Sequence, residues 1–114
     1  MNIKRGDIYL ARLDPVVGRE ISKTRPVLVV SNNKNNEFSG TVSILPITSK
    51  NLQKIYPFEA LLPKGQGKVP KTSKAKADQI RTLDKSRIVK FIGKIKKQEM
   101  WEIEKAIKVH LALS

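Results

Sequence analysis

Arg25 and Thr48 stand at the ends of two apolar runs. Arg25 opens Thr24-Arg25-Pro26-Val27-Leu28-Val29-Val30; Thr48, with Ser49 behind it, closes Thr41-Val42-Ser43-Ile44-Leu45-Pro46-Ile47. An antiparallel hairpin of the two runs that sets position 31 opposite 42 also sets 25 opposite 48. A guanidinium offers two parallel donors to phosphate oxygens, and a hydroxyl adds a third. The expected chemistry is the holding of a phosphate at one end of a sheet. By residue type alone, Arg25 could instead pair with Glu20 or Asp78, and Thr48 could be an ordinary strand end.

Such a clamp has to be positioned by a fold, and composition limits the choice. The 114 residues suit one domain, 1–114, with one core, and 39% hydrophobic residues favour folding over disorder. No apolar run reaches the length of about 18 residues that a membrane-spanning helix needs, and no apolar leader opens the chain. Cysteine is absent and His110 is the single histidine, which removes disulfides, thiolate metal sites and histidine clusters. No metal and no cofactor is expected, and a reducing, cytoplasmic setting fits. Lys and Arg outnumber Asp and Glu by 23 to 10, a net +13 that favours polyanionic partners over a membrane surface.

Periodicity then places the elements. Ile8–Leu13 reads as a strand with Ile8 and Leu10 on one face and Tyr9, Ala11 and Leu13 on the other. Pro26–Ser31 is apolar on both faces and reads as a central strand opened by a tolerated proline. Residues 32–40 are turn-rich, Tyr56–Leu62 reads as a fourth strand, and the lysine-rich stretch Pro63–Lys76 reads as a mobile loop. Ala77–Leu83 reads as a fifth strand carrying Ala77, Gln79 and Arg81 on one face, and Ile88–Ile92 as a short sixth. Gln98–Leu113 reads as a helix with Met100, Ile103, Ile107 and Leu111 as its apolar stripe and Trp101 off centre, available to a partner subunit. The pattern predicts a mainly β protein, a small bent barrel with a C-terminal helix packed on it.

Several segments, taken together and in order, resemble the MazF/PemK (Kid) toxin family. They are Arg5-Gly6-Asp7-Ile8-Tyr9, Asp14-Pro15-Val16-Val17-Gly18, Thr24-Arg25-Pro26-Val27-Leu28-Val29, Ile47-Thr48-Ser49 and Asp78-Gln79-Ile80-Arg81-Thr82-Leu83-Asp84. The resemblance implies an SH3-like (CcdB/Kid-type) β-barrel, homodimeric, acting as the endoribonuclease toxin of a type II toxin–antitoxin pair. It implies metal-independent cutting of single-stranded RNA (mRNA) at short sequences, with a cognate acidic antitoxin blocking the RNA groove. Carried over by position, Arg25 and Thr48 match the catalytic pair and Glu20 an activity-linked loop glutamate. Asn32, Gln79 and Arg81 match positions near the RNA groove, and Arg19 and Ser49 are expected to add RNA contacts. Many members carry a glycine or an alanine-glycine pair before the arginine, where this chain has Ser22-Lys23.

The resemblance also implies attack by the RNA 2′-hydroxyl, leaving a 2′,3′-cyclic phosphate and a 5′-hydroxyl. That chemistry needs alignment and charge stabilisation rather than an enzyme nucleophile. The proton acceptor stays open, because an arginine with a pKa of about 12.5 or higher is a poor base. Glu20 and His110 are the candidates by residue type. Two alternatives are a CcdB-like toxin that poisons gyrase without catalysis and a basic nucleic-acid-binding barrel without chemistry. The CcdB type depends on a tryptophan-glycine-isoleucine ending, whereas Trp101 is the single tryptophan here. With one Trp, two Tyr and three Phe, aromatic base-stacking platforms are expected to be sparse.

Overall fold

Alternation along the central strands sorts the core into two layers. In the computed structural model, which describes residues 2–114, Asp7–Arg12 forms β1, Thr24–Val29 β2 and Thr41–Thr48 β3. Leu28, Val30, Leu45 and Ile47 point with Ile8 into one apolar cluster. Val27, Val29, Val42 and Ile44 point with Tyr9, Ala11 and Leu13 into the other. Strands buried on both faces need apolar residues at successive positions, which is why β2 reads as an unbroken run.

The predicted β2–β3 register is the one observed. Val27, Leu28 and Val29 lie opposite Pro46, Leu45 and Ile44. Beyond the ladder the partners diverge: Arg25 pairs with Ala11 of β1, and Thr48 with Lys74 of a later strand. The far edge of β3 is shared. Ser73–Lys76 (β5) covers its end and Arg81–Asp84 (β6) its start, with a 3-10 turn at Ala77–Gln79 between them. Glu59–Leu62 (β4) extends the sheet beyond β5, and Ile88–Lys94 (β7) flanks β1. The seven strands coil around the core as one antiparallel sheet, and the described ladders stop short of closing it into a ring.

Four segments differ from the sequence expectation, the first being Tyr56–Leu62, where a turn closed by the Glu59 N–H on the Tyr56 carbonyl delays the strand to Glu59. Ala77–Leu83 is not one strand, because the Ile80 N–H turns back to the Ala77 carbonyl (3.2 Å). Ala77, Gln79 and Arg81 therefore do not share a strand face. Residues 32–40 contain a short helix, Asn33–Phe38 (α1), capped by the Asn32 side chain on the Asn35 N–H (2.9 Å). The basic stretch 63–76 is ordered: Val69 is buried in the core, Gly67 packs against Gly93 of β7, and Ser73–Lys76 is strand.

Lys97–Leu111 (α2) lies over the Ile8–Leu28 cluster through Ile103 and Ala106, with Met100 and Ile107 beside them. Leu111, expected in the stripe, is exposed in the last turn, which ends in a left-handed cap at Ala112. Trp101 is also exposed and carries the Lys105 ammonium 4.4 Å from its ring centroid. No helix among the described residues is long and apolar enough to cross a membrane.

Candidate active site

The divergence of β2 and β3 past their ladder opens a cleft of about 110 Å³. Arg25 and Thr48 both line it, as do Ser49, Lys50, Lys71 and Ser73. The sequence register thus brings arginine and hydroxyl to one site although they are not ladder partners. Its wall includes three cationic side chains and three hydroxyls, with no Asp or Glu among the lining residues. A narrow, cationic, hydroxyl-rich cleft suits a phosphodiester.

Arg25 is held from behind. Its Nε donates to the Ser22 carbonyl at 3.3 Å, its one side-chain hydrogen bond among the described residues. The terminal nitrogens have no protein partner among the described residues, and Arg25 lines the cleft. The alternatives of pairing with Glu20 or Asp78 are not realised: Asp78 lies 3.9 Å from Lys76, and the Glu20 carboxylate accepts the Val17 N–H at 2.7 Å. Ser22 is set in place by its neighbour Lys23, whose φ of 69° turns the chain and whose carbonyl accepts the Leu13 N–H (2.8 Å). Left-handed backbone is where glycine is favoured, so Lys23 holds a strained conformation.

Thr48 Oγ1 accepts the Lys50 N–H at 3.2 Å, a local turn that aims Ser49 and Lys50 at the cleft and leaves the hydroxyl proton free to donate. Opposite Thr48, the Lys74 side chain is buried, and its ammonium binds the carbonyls of Asn51 (2.8 Å) and Lys54 (3.3 Å) and the Glu59 carboxylate (3.0 Å). Glu59 also accepts Lys76 (2.9 Å) and the Tyr56 N–H (3.0 Å). Burial pushes the Glu59 carboxyl up, but Lys76, the Tyr56 N–H and Lys74 outweigh it and hold the group below its usual range. This network fastens the 49–58 loop to β4 and β5.

The remaining predicted residues lie elsewhere. Glu20, Gln79 and Arg81 line a separate depression of about 380 Å³, and Arg19 stands beside Glu20 and Gln79. Gln79 fastens the β1–β2 loop by accepting the Ile21 N–H (2.7 Å), and Arg81 donates to the Leu13 carbonyl (3.1 Å). Asn32 lies in a third groove, of about 700 Å³, between α1 and α2. His110 sits exposed in the last turn of α2, away from the cleft. Lys71, in a stretch whose lysines could add phosphate contacts by residue type, lines the cleft; nothing local in the sequence marks Lys50 and Ser73 as parts of its wall.

The chain and its fold resemble those of known proteins. The chain is 35% identical to the endoribonuclease MazF9 of Mycobacterium tuberculosis over 116 aligned residues, covering 97% of this chain and 98% of that one. Its structure matches MazF of Deinococcus radiodurans with a TM-score of 0.85 at 28% identity, covering 99% of each chain. It also matches a chain of the MazE–MazF complex from that organism, with a TM-score of 0.78 at 26% identity, covering 100% and 99%. The model of PemK-like, MazF-like toxins of type II toxin–antitoxin systems matches residues 4–111, and the chain belongs to that family.

Proposed function

We propose that the Arg25–Thr48 cleft is the cleavage centre of a metal-independent, sequence-specific endoribonuclease toxin acting on single-stranded RNA. One observation carries the reading: a cationic cleft that contains hydroxyls and no carboxylate among its lining residues, with the Arg25 Nε on the Ser22 carbonyl and its terminal nitrogens unpaired by protein. The kinship with an endoribonuclease over nearly the whole chain supports it. A scissile phosphate held by the Arg25 fork gains most as its oxygens take on negative charge, which is transition-state stabilisation rather than simple binding. Thr48 and Ser49 donate to the same phosphate or align the 2′-hydroxyl with the leaving 5′-oxygen. Bond-making by the 2′-oxygen and loss of the 5′-oxygen leave a 2′,3′-cyclic phosphate and a 5′-hydroxyl. Glu20, which lines a separate depression, is the loop carboxylate the family resemblance offers for proton transfer. Arg19, Gln79, Arg81 and Asn32 extend the RNA contacts.

The toxin works in this reading as a cytoplasmic homodimer, with exposed Trp101 and Phe91 available for burial, and is silenced by an acidic antitoxin matched to its +13 charge. The test is cleavage of a long defined RNA with its ends mapped. Wild-type protein should cut at a short recurrent sequence, leave 5′-hydroxyl ends, and keep its rate in EDTA. Arg25→Ala should lose roughly 10²–10³ in kcat with unchanged melting. Full cleavage by that variant would overturn the assignment, and RNA binding without cleavage by the wild type would favour a binding-only barrel.

A further inference from the structure

The loop that leaves the cleft carries a paired aromatic surface outside the carried-over site residues. Tyr56 and Phe58 stack with ring centroids 5.2 Å apart and planes 9° from parallel, and the Lys54 ammonium stands 4.8 Å from the Tyr56 centroid. Tyr56 is 42% exposed, and no hydrogen bond engages its hydroxyl among the described residues. A large aromatic held flat and open to solvent serves no evident packing purpose.

The loop's anchoring explains how it can act on the cleft. Thr48 and Lys74 are direct partners in an antiparallel ladder, so their side chains project from the same face about 5 Å apart. Lys74 then holds the Asn51 and Lys54 carbonyls. Lys54 is thus one interstrand step and one lysine side chain from Thr48, the scale of one or two nucleotide steps. The Tyr56 backbone is fixed independently, its N–H on Glu59 and its carbonyl accepting the Glu59 N–H at 2.8 Å. Both sides of the turn are therefore tied to the buried Glu59–Lys74 pair.

We infer that Tyr56 and Phe58 form a stacking platform for one unpaired nucleobase flanking the scissile phosphate, with Lys54 swinging from the ring to the backbone phosphate next to that base. The inference rests on the RNA-cleavage reading above. Stacked aromatics present a π-face to any base, and a lysine at the rim supplies the phosphate charge, the combination used for single strands. The platform adds affinity at one fixed distance from the cut and little base identity.

Its test uses the intact protein and RNA with 2-aminopurine placed at each position around the mapped cut, the cleaved 2′-hydroxyl replaced by hydrogen. Binding should quench fluorescence at one flanking position. Tyr56→Ala should abolish that quench and raise KM by roughly 5- to 150-fold with little change in kcat, whereas Tyr56→Phe should keep the quench. Shortening the RNA past that position should cost the wild type the same factor and cost Tyr56→Ala nothing further. Equal melting temperatures of the variants exclude misfolding. Wild-type cleavage with unaltered quench and KM in Tyr56→Ala would overturn the platform alone. Absence of cleavage by the wild type would overturn the reading beneath it.

Discussion

Lys74→Met removes the ammonium that ties the cleft's outer loop to the sheet while keeping most of the apolar stem. The side chain is 3% exposed and Glu59 is 1% exposed, so the pair is shielded from water. Loss of the charge strands two carbonyls, those of Asn51 and Lys54, and one of the Glu59 contacts. Hydrogen bonds to a charged group are worth about 1.5–3 kcal/mol each, and breaking a buried pair by removing one partner costs about 3–5 kcal/mol. Glu59 retains Lys76 and the Tyr56 N–H, and the released carbonyls can turn to water. The expected loss is therefore near the lower bound, about 3 kcal/mol, out of a total of about 5–15 kcal/mol. At roughly 4 °C per kcal/mol that lowers the melting temperature by about 12 °C.

Equilibrium urea unfolding of Lys74→Met and Lys76→Met, side by side, measures it. Lys76 is 20% exposed and binds one oxygen of Glu59, so its replacement should cost about 1 kcal/mol. RNA cleavage by Lys74→Met should fall at temperatures where the protein is still folded, because Ser49 and Lys50 begin the released loop. If Lys74→Met loses less than about 1 kcal/mol, or no more than Lys76→Met, the network is not what fixes the loop.

Acidification should act through the same carboxylate. Because Glu59 titrates below its usual 4.5 in the folded state, its contribution is full above that value and is lost as pH falls through the lower folded value. Melting temperature should drop as pH is lowered from about 5 toward 3, and Glu59→Gln should flatten that slope. Lys23→Gly should relieve the left-handed lysine and raise stability by up to about 1 kcal/mol, read by calorimetry; a loss of stability would show that the Lys23 side chain compensates for its backbone. Thr48→Val keeps the strand shape and removes the hydroxyl, so cleavage should fall about tenfold or more with unchanged melting. Thr48→Ser should recover most of it.

What the sequence makes legible is the layered core and its register, because burial on both faces leaves a continuous apolar run and alternation fixes which residue points where. Val27 to Val30 and Val42 to Ile47 sort into the two clusters as that rule requires. The register followed, and with it the meeting of Arg25 and Thr48. What stayed hidden depends on contacts distant in sequence. Lys74 looks like any lysine in a basic stretch, and only its pairing opposite Thr48 and its burial against Glu59 make it an anchor. Gln79 and Arg81 looked like one strand face, yet a backbone hydrogen bond at Ala77 separates them and turns Gln79 onto the β1–β2 loop. The aromatic pair was missed for a related reason. Tyr56–Leu62 reads as one strand in the sequence, which gives no sign of a surface pair. The Glu59 turn takes both out of the strand and leaves them stacked at the surface, with Tyr56 open to solvent. In the proposed reading Arg25 and Thr48 act on the phosphate, and the loop tied down by Lys74 sets how firmly a single strand is held beside it.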